Sequence, residues 1–152
     1  TLKGVGESSD AFHMSSPHPD GLGARMAMEA ALAEAGLEAS AVDYINAHGT
    51  ATLQNDAAEA TAIATLFGTD VPVASTKGFT GHMLGAAGAT EAIFAIVAIE
   101  QGWIPANLGG EPTDPAFRIR VNQRRAERRC RVALSNSFGF GGSNVAVVVG
   151  AP

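Results

Sequence analysis

Short apolar runs alternating with helix-period segments constrain this chain more than any other feature. Leu2 to Val5 opens the series as a candidate strand, and a polar loop rich in Ser and Pro follows. A helix is predicted from about Leu22 to Ala35, capped by Asp20 and stopped by Gly36. Val42 to Ala47 reads as a short buried strand. Asn55 or Asp56 can cap a second helix through Phe67, ended by Gly68. Val71 to Ser75 is a third strand, and an Ala-rich helix spans about Leu84 to Gln101. A Pro- and Gly-rich connection, Pro105 to Pro115, leads through a basic segment to strands at Val132 to Asn136 and Val145 to Val149. The glycine turn Ser137-Phe138-Gly139-Phe140-Gly141-Gly142-Ser143 makes this last pair a hairpin. The order is βαβαβαββ: an α/β fold with a mixed five-stranded sheet, parallel with right-handed crossovers except at the closing hairpin.

A length of 152 residues suits one domain with a real core, and 46% of the residues are apolar. The net charge of −5 disfavours nucleic acid as a general partner. One cysteine excludes an intrachain disulfide and fits a reducing compartment. The longest apolar run, Leu84 to Ile99, contains Glu91 and falls short of the ~20 residues that cross a bilayer, so a soluble chain without a membrane partner is expected. Thr1 to Gly6 has no secretory signal pattern and no initiator methionine, which suggests a chain cut from, or beginning within, a longer protein.

Two histidines stand in glycine-rich segments just after apolar runs: Asn46-Ala47-His48-Gly49-Thr50-Ala51-Thr52 and Ser75-Thr76-Lys77-Gly78-Phe79-Thr80-Gly81-His82. Both therefore fall at the carboxyl ends of strands, where open sheets put their ligands. Two neutral imidazoles converging on one point can donate two N–H bonds to a developing oxyanion, provided that something fixes their tautomers. Lys77 is one of only two lysines, and an ammonium beside an imidazole opposes its protonation. No nucleophile motif accompanies them.

These motifs, with Ser75 to Ala87 and Ser135-Asn136-Ser137-Phe138-Gly139-Phe140-Gly141-Gly142, resemble the C-terminal half of a discrete, type II β-ketoacyl-[acyl-carrier-protein] synthase. Ser8-Ser9-Asp10-Ala11-Phe12-His13-Met14 resembles the synthase II branch, and the resemblance covers nearly the whole chain, 1–152. It implies a thiolase-like fold of two pseudo-symmetric βαβαβαββ halves, of which this is one. The nucleophilic cysteine belongs to the N-terminal half. Decarboxylation of malonyl-carrier protein and Claisen condensation with a cysteine-bound acyl group are the implied chemistry. On that reading the chain is inactive in condensation alone.

The resemblance further implies that His48 and His82 bind the malonyl thioester oxygen and that Lys77 is essential. Glu59 pairs with that lysine, and Asp56 is a nearby acidic position. Thr50 and Thr52 face the pantetheine arm, Phe138 gates the site on a loop freed by Gly139, Gly141 and Gly142, and Phe140 packs beneath it. Some members hold a structural cation, at positions matching Asn46, Glu91, Ser135 and Asn136. No organic cofactor is implied. Acyl carrier protein is the partner, the intact enzyme is a homodimer in fatty-acid or polyketide-like synthesis, and the location is cytoplasmic. A specialised route such as polyene assembly also suits Gly78-Phe79-Thr80 and Gly21-Leu22-Gly23-Ala24-Arg25.

Other readings stay open. A ketosynthase-like chain-length partner would keep the fold without the nucleophile, although it has no need of His48, Lys77 and His82. A thiolase would be expected to use a His/Cys set. Cys130, between Arg129 and Arg131, is a structural cysteine or a reactive surface thiol with a lowered pKa. His13, His18, His48 and His82 lack the short spacing of a zinc site. Gly21 to Met26 lacks the strand and third glycine of a dinucleotide fingerprint. Arg118 to Arg131 holds seven of the ten basic residues; it is a solvated segment, or a steering surface for an acidic carrier or nucleic acid.

Overall fold

Glycine at alternate positions of the first strand lets a helix lie directly on it. In the computed structural model, which describes all 152 residues, β1 is Leu2–Ser9 and α1 is Leu22–Ala35. A Cβ on Gly4 would strike the Ala31 carbonyl oxygen, and one on Gly6 that of Ala27. Ala27 and Ala31 are themselves small and fully buried, so helix and strand meet backbone to backbone.

The remaining elements are β2 (Tyr44–Asn46), α2 (Leu53–Phe67), β3 (Pro72–Ala74), the short α3 (Lys77–Thr80), α4 (Ala87–Gln101), β4 (Trp103–Ile104), β5 (Arg120–Val121), β6 (Ala126–Glu127), β7 (Val132–Gly139) and β8 (Ser143–Gly150). The main sheet runs β1-β8-β7-β2-β3-β5, with β4 and β6 forming a separate antiparallel ribbon. β2 is parallel to β7 and to β3, and β3 is parallel to β5, while β8 is antiparallel to both β7 and β1. β8 therefore opposes the other five strands, as the hairpin reading required.

Period-two alternation sends neighbouring side chains to opposite faces. Ile45, Val73, Leu134 and Val148 join Met28 of α1 and Ile63 of α2 in one cluster. Tyr44, Ala74, Ala133 and Val149 join Ala95 and Ala98 of α4 in the other. Helices thus cover both faces, and β2, β3 and β7 lie side by side at the centre.

The sheet has six strands, not five. The sixth, β5, lies within the stretch read as basic connection: Arg120 is exposed, Val121 is half-buried, and Asn122 N donates to the Val73 carbonyl just beyond the pairing. Two residues are too short for a periodic signal, and arginines masked it. Charged residues on a short edge strand also discourage pairing with another chain. All seven arginines from Arg118 to Arg131 are exposed, and among them Arg125 alone has an ion-pair partner, Glu127.

Two caps differ from expectation. Asp20 is exposed, and the cap before α1 is instead Gly21, in the left-handed region (φ 64°). A Cβ on Gly21 would strike the Ala58 carbonyl of α2, so helix contact decides this cap. α2 starts from Thr52, before Asn55 and Asp56, leaving Asp56 in its first turn, where a carboxylate complements the helix dipole. Leu84–Gln101, a 3-10 turn followed by α4, is long and apolar enough by length and composition to cross a membrane. Here it lies against the sheet through Ala95 and Ala98, with Ile93 and Ile96 exposed.

Candidate active site

Three adjacent strands end side by side, each with candidate site residues at or just past its carboxyl end. β2 leads into Ala47-His48, β3 into Ser75-Thr76-Lys77, and β7 carries Phe138 near its end. His48 and His82 stand with ring centroids 5.5 Å apart and planes at 84°. Phe138 sets its ring 5.5 Å from that of His48 on another side. A cavity of about 630 Å³ is lined by His48, His82, Thr50, Thr52, Phe138 and Phe140. The structure therefore brings together both histidines, both threonines and the aromatic hairpin.

The tautomers follow from each ring's neighbour. Lys77 Nζ lies 3.3 Å from Nδ1 of His48, and an ammonium can only donate, so that nitrogen accepts and the proton is on Nε2. Leu84 N donates to Nδ1 of His82 at 3.1 Å, with the same consequence. Leu84 adopts φ 50° to do so, a costly conformation for a γ-branched residue. Ala51, between the two threonines, and Ala11 are the other non-glycine residues with positive φ, and both adjoin residues of the cavity. His48 is held neutral: its pKa is pushed down to about 3, chiefly by burial and then by Lys77 and His82.

Lys77 does not pair with Glu59. Its ammonium bonds Glu91 Oε1 at 2.5 Å, with both side chains nearly inaccessible. Burial pushes the Glu91 carboxyl up, and the lysine opposes that shift. Glu91 is the only charge in the apolar middle of α4; a buried charge demands a partner, and that signal could have named it from sequence. Glu59 is fully committed elsewhere: it accepts from His48 N (2.8 Å), Gly49 N (2.9 Å) and Asn136 Nδ2 (3.0 Å). Asp56 bonds Asn55 and lines a neighbouring cavity of about 400 Å³ with Glu59 and Thr52. Thr50 and Thr52 join their hydroxyls at 3.0 Å.

Phe140 does not pack beneath the hairpin. It is 86% exposed, because the turn at Gly141 and Gly142 (φ 84° and 79°) points it away from both core clusters. Phe138 is half-buried against the α1/α2 side of the sheet. The hairpin is tied to the loop after β1, an attachment that sequence reading missed. Asp10 N donates to the Gly142 carbonyl, Asn144 Nδ2 donates to Asp10 Oδ1, and Gly141 N donates to the Met14 carbonyl.

The four positions matched to a structural cation do not form one cage. Asn46 donates its amide N–H to the Glu91 carbonyl and to Ser135 on the α4 face. Asn136 bonds Glu59 and Met28 on the opposite face. Cys130 is no reactive surface thiol. Its sulfur is buried, burial pushes its pKa up to about 12, and Asp43 adds to that, against a smaller opposing effect of Arg128.

Residues 1–111 match the family described as beta-ketoacyl synthase, C-terminal domain. The chain is 47% identical, over 97% of its length, to the mitochondrial 3-oxoacyl-[acyl-carrier-protein] synthase of Arabidopsis thaliana, of which it covers 33%. Among solved structures it superposes with TM-score 0.94 on the ishigamide ketosynthase/chain length factor, at 36% identity, covering 99% of this chain and 38% of that one. It superposes with TM-score 0.95 on a structure of a type II PKS acyl-carrier protein in complex with its ketosynthase, at 31% identity, covering 99% and 38%. The chain spans about a third of the length of these relatives. With its mixed sheet and paired histidines, it belongs to the β-ketoacyl synthase family and corresponds to that family's C-terminal domain.

Proposed function

We propose that this chain supplies the His/His/Lys half of a decarboxylating Claisen condensation on carrier-protein thioesters. The carrying observation is that both imidazoles have Nδ1 engaged, by Lys77 and by Leu84 N, which leaves each Nε2–H for one cavity. When the malonyl C–C bond breaks, its electron pair moves onto the thioester carbonyl. CO₂ leaves, and the enolate oxygen takes the two Nε2–H bonds. The enolate carbon then attacks an acyl thioester held by a cysteine on the N-terminal half, expelling the thiolate. Fatty-acid or polyketide-like synthesis is the setting, and the intact protein is a cytoplasmic homodimer. The chain by itself is inactive in condensation.

Thr50 and Thr52 offer hydroxyls to the amides of the pantetheine arm, and Phe138 covers His48 until an acyl group displaces it. An acyl-carrier protein partner is supported by the relative solved with its own carrier protein.

The test is CO₂ release from malonyl-acyl-carrier protein by the full-length protein carrying His82→Ala. A loss of roughly a hundredfold or more is expected, the usual effect of removing an oxyanion donor. Near-normal release overturns the assignment. The residue encoded at the nucleophile position upstream of Thr1 separates the alternative: cysteine makes a condensing enzyme, and any other residue makes a decarboxylase or chain-length partner.

A further inference from the structure

We propose that the cavity of about 400 Å³ behind the histidine turn is a binding site for a small organic cation with an apolar body, of the alkylammonium class. This cavity is separate from the one that His48 and His82 line, and the turn between the two is a single layer of chain. His48 and Thr50 line the larger cavity, Gly49 and Ala51 the smaller one, and Thr52 borders both. An occupant would therefore touch the back of the turn that carries His48.

The volume falls in the range of small-molecule sites, which are concave, mostly apolar and preformed. α2 supplies Leu53, Ala60 and Ile63 to one wall, and Ile119 and Val121 of the β5 region supply another. Residues 107–114 complete it and are fixed by bonds. Asn107 N donates to the Asn122 carbonyl (2.7 Å), Ser75 N donates to Asn107 Oδ1 (2.8 Å), and Gln123 Nε2 donates to the Gly110 carbonyl (2.7 Å). A Cβ on Gly78 would strike the Leu108 carbonyl oxygen, so this segment also rests directly on α3. Of the lining, Leu53 is 83% and Leu108 54% exposed, apolar area that an alkyl body would cover.

The polar lining selects the sign of charge. Asp56 and Asp114 both line the cavity, and neither has an ion-pair partner. Their hydrogen bonds come from neutral donors, the Asn55 amide and Ala116 N. Glu59 is a third acid in the lining, and the one cation there, Lys77, is held by Glu91. A bound carboxylate would face like charge, whereas an ammonium gains charge-assisted bonds from the aspartates.

The experiment titrates the full-length protein, ¹³C-labelled at Ala, Ile and Leu methyls, with n-hexylammonium, hexanol and hexanoate. Hexylammonium should bind with a Kd of about 1 mM or tighter, moving the methyl signals of Ala51, Leu53, Ile63 and Leu108. Hexanol should bind about three- to tenfold more weakly, and hexanoate more weakly still. Asp56→Asn with Asp114→Asn should erase the preference for hexylammonium over hexanol. Should that variant fail to fold, Asp114→Asn alone, at an exposed position, should reduce the preference. Ala60→Leu in a folded variant fills the cavity and should weaken all binding at least tenfold. Absence of saturable binding to the wild type overturns the proposal, as do shifts that miss these four methyl groups. Hexanoate bound as tightly as hexylammonium would make the cavity an acyl-chain site and overturns the cationic assignment. A preference that survives loss of the aspartate charges overturns it equally.

Discussion

Lys77 Nζ bridges two groups at once, 2.5 Å from Glu91 Oε1 and 3.3 Å from His48 Nδ1. Burial first, then the neighbouring Lys77 and His82, hold the imidazole neutral. A neutral ring with an accepting Nδ1 has one proton left, on Nε2. In the proposed mechanism the lysine would act through the histidine, without needing to touch substrate.

That relationship has a pH signature. His48 has a folded pKa of about 3 against 6.5 for the free side chain. The unfolded chain therefore binds the extra proton first. Stability from this residue is full above pH 6.5 and is lost as pH falls toward 3. Glu59 and Glu91, whose pKa values are raised, act in the opposite sense above about pH 4.5, so the comparison must isolate the histidine. The difference in unfolding free energy between wild type and His48→Gln should shrink by roughly 2 kcal/mol between pH 7 and pH 5. Urea titrations at the two values measure it, and a constant difference contradicts a buried neutral His48.

Phe138→Ala should leave malonyl decarboxylation by the full-length protein largely intact. Its effect should fall on acyl-chain selectivity, or on the order of acyl loading and malonyl binding, because the ring covers His48 without bonding it. Competition between acyl primers of different length reads this out. Unchanged selectivity and order refute gating.

Gly6→Ala tests the contact that seats α1. The added methyl meets the Ala27 carbonyl oxygen, which belongs to helix backbone and has nowhere to go. A loss of about 3 kcal/mol is expected by overpacking. Gly36, with open space around it, offers a contrast: Gly36→Asn keeps the left-handed conformation and should cost well under about 1 kcal/mol. Thermal unfolding of both variants decides.

α4 leaves Ile93 57% and Ile96 36% exposed, and Leu84 just ahead of it 78%. Contiguous apolar surface of this kind drives association. The isolated chain should self-associate at high concentration, and Ile93→Lys with Ile96→Lys should reduce it. Size-exclusion chromatography with light scattering measures both, and a clean wild-type monomer at high concentration counts against the expectation.

Much of this was legible locally. The spacing of apolar residues placed β1, α1, β2, α2, β3, α4 and the β7–β8 hairpin, with boundaries shifted by a few residues. α1 kept its bounds, though Gly21 and not Asp20 caps it, because Gly21 answers to the neighbouring helix α2; α2 kept its end at Phe67 and Gly68 but starts earlier, from Thr52. β5 escaped because two residues beside arginines carry no period of their own. Cys130 was legible only as a thiol among arginines; burial, which sets its pKa, was not.

The sequence by itself determined the order of elements, the carboxyl-end placement of His48 and His82, and the mixed direction of the sheet. Each of these follows from residues adjacent in the chain, through side-chain period and turn chemistry. Tertiary structure alone decided which acid answers Lys77, giving Glu91 that bond and turning Glu59 to the amides of His48 and Gly49. It likewise exposed Phe140, buried Cys130 and put Asn136 on the opposite face from Asn46. The physical reason is separation along the chain: Glu59 and Asn136 are 77 residues apart, and no local periodicity tells a carboxylate which distant donors will converge on it.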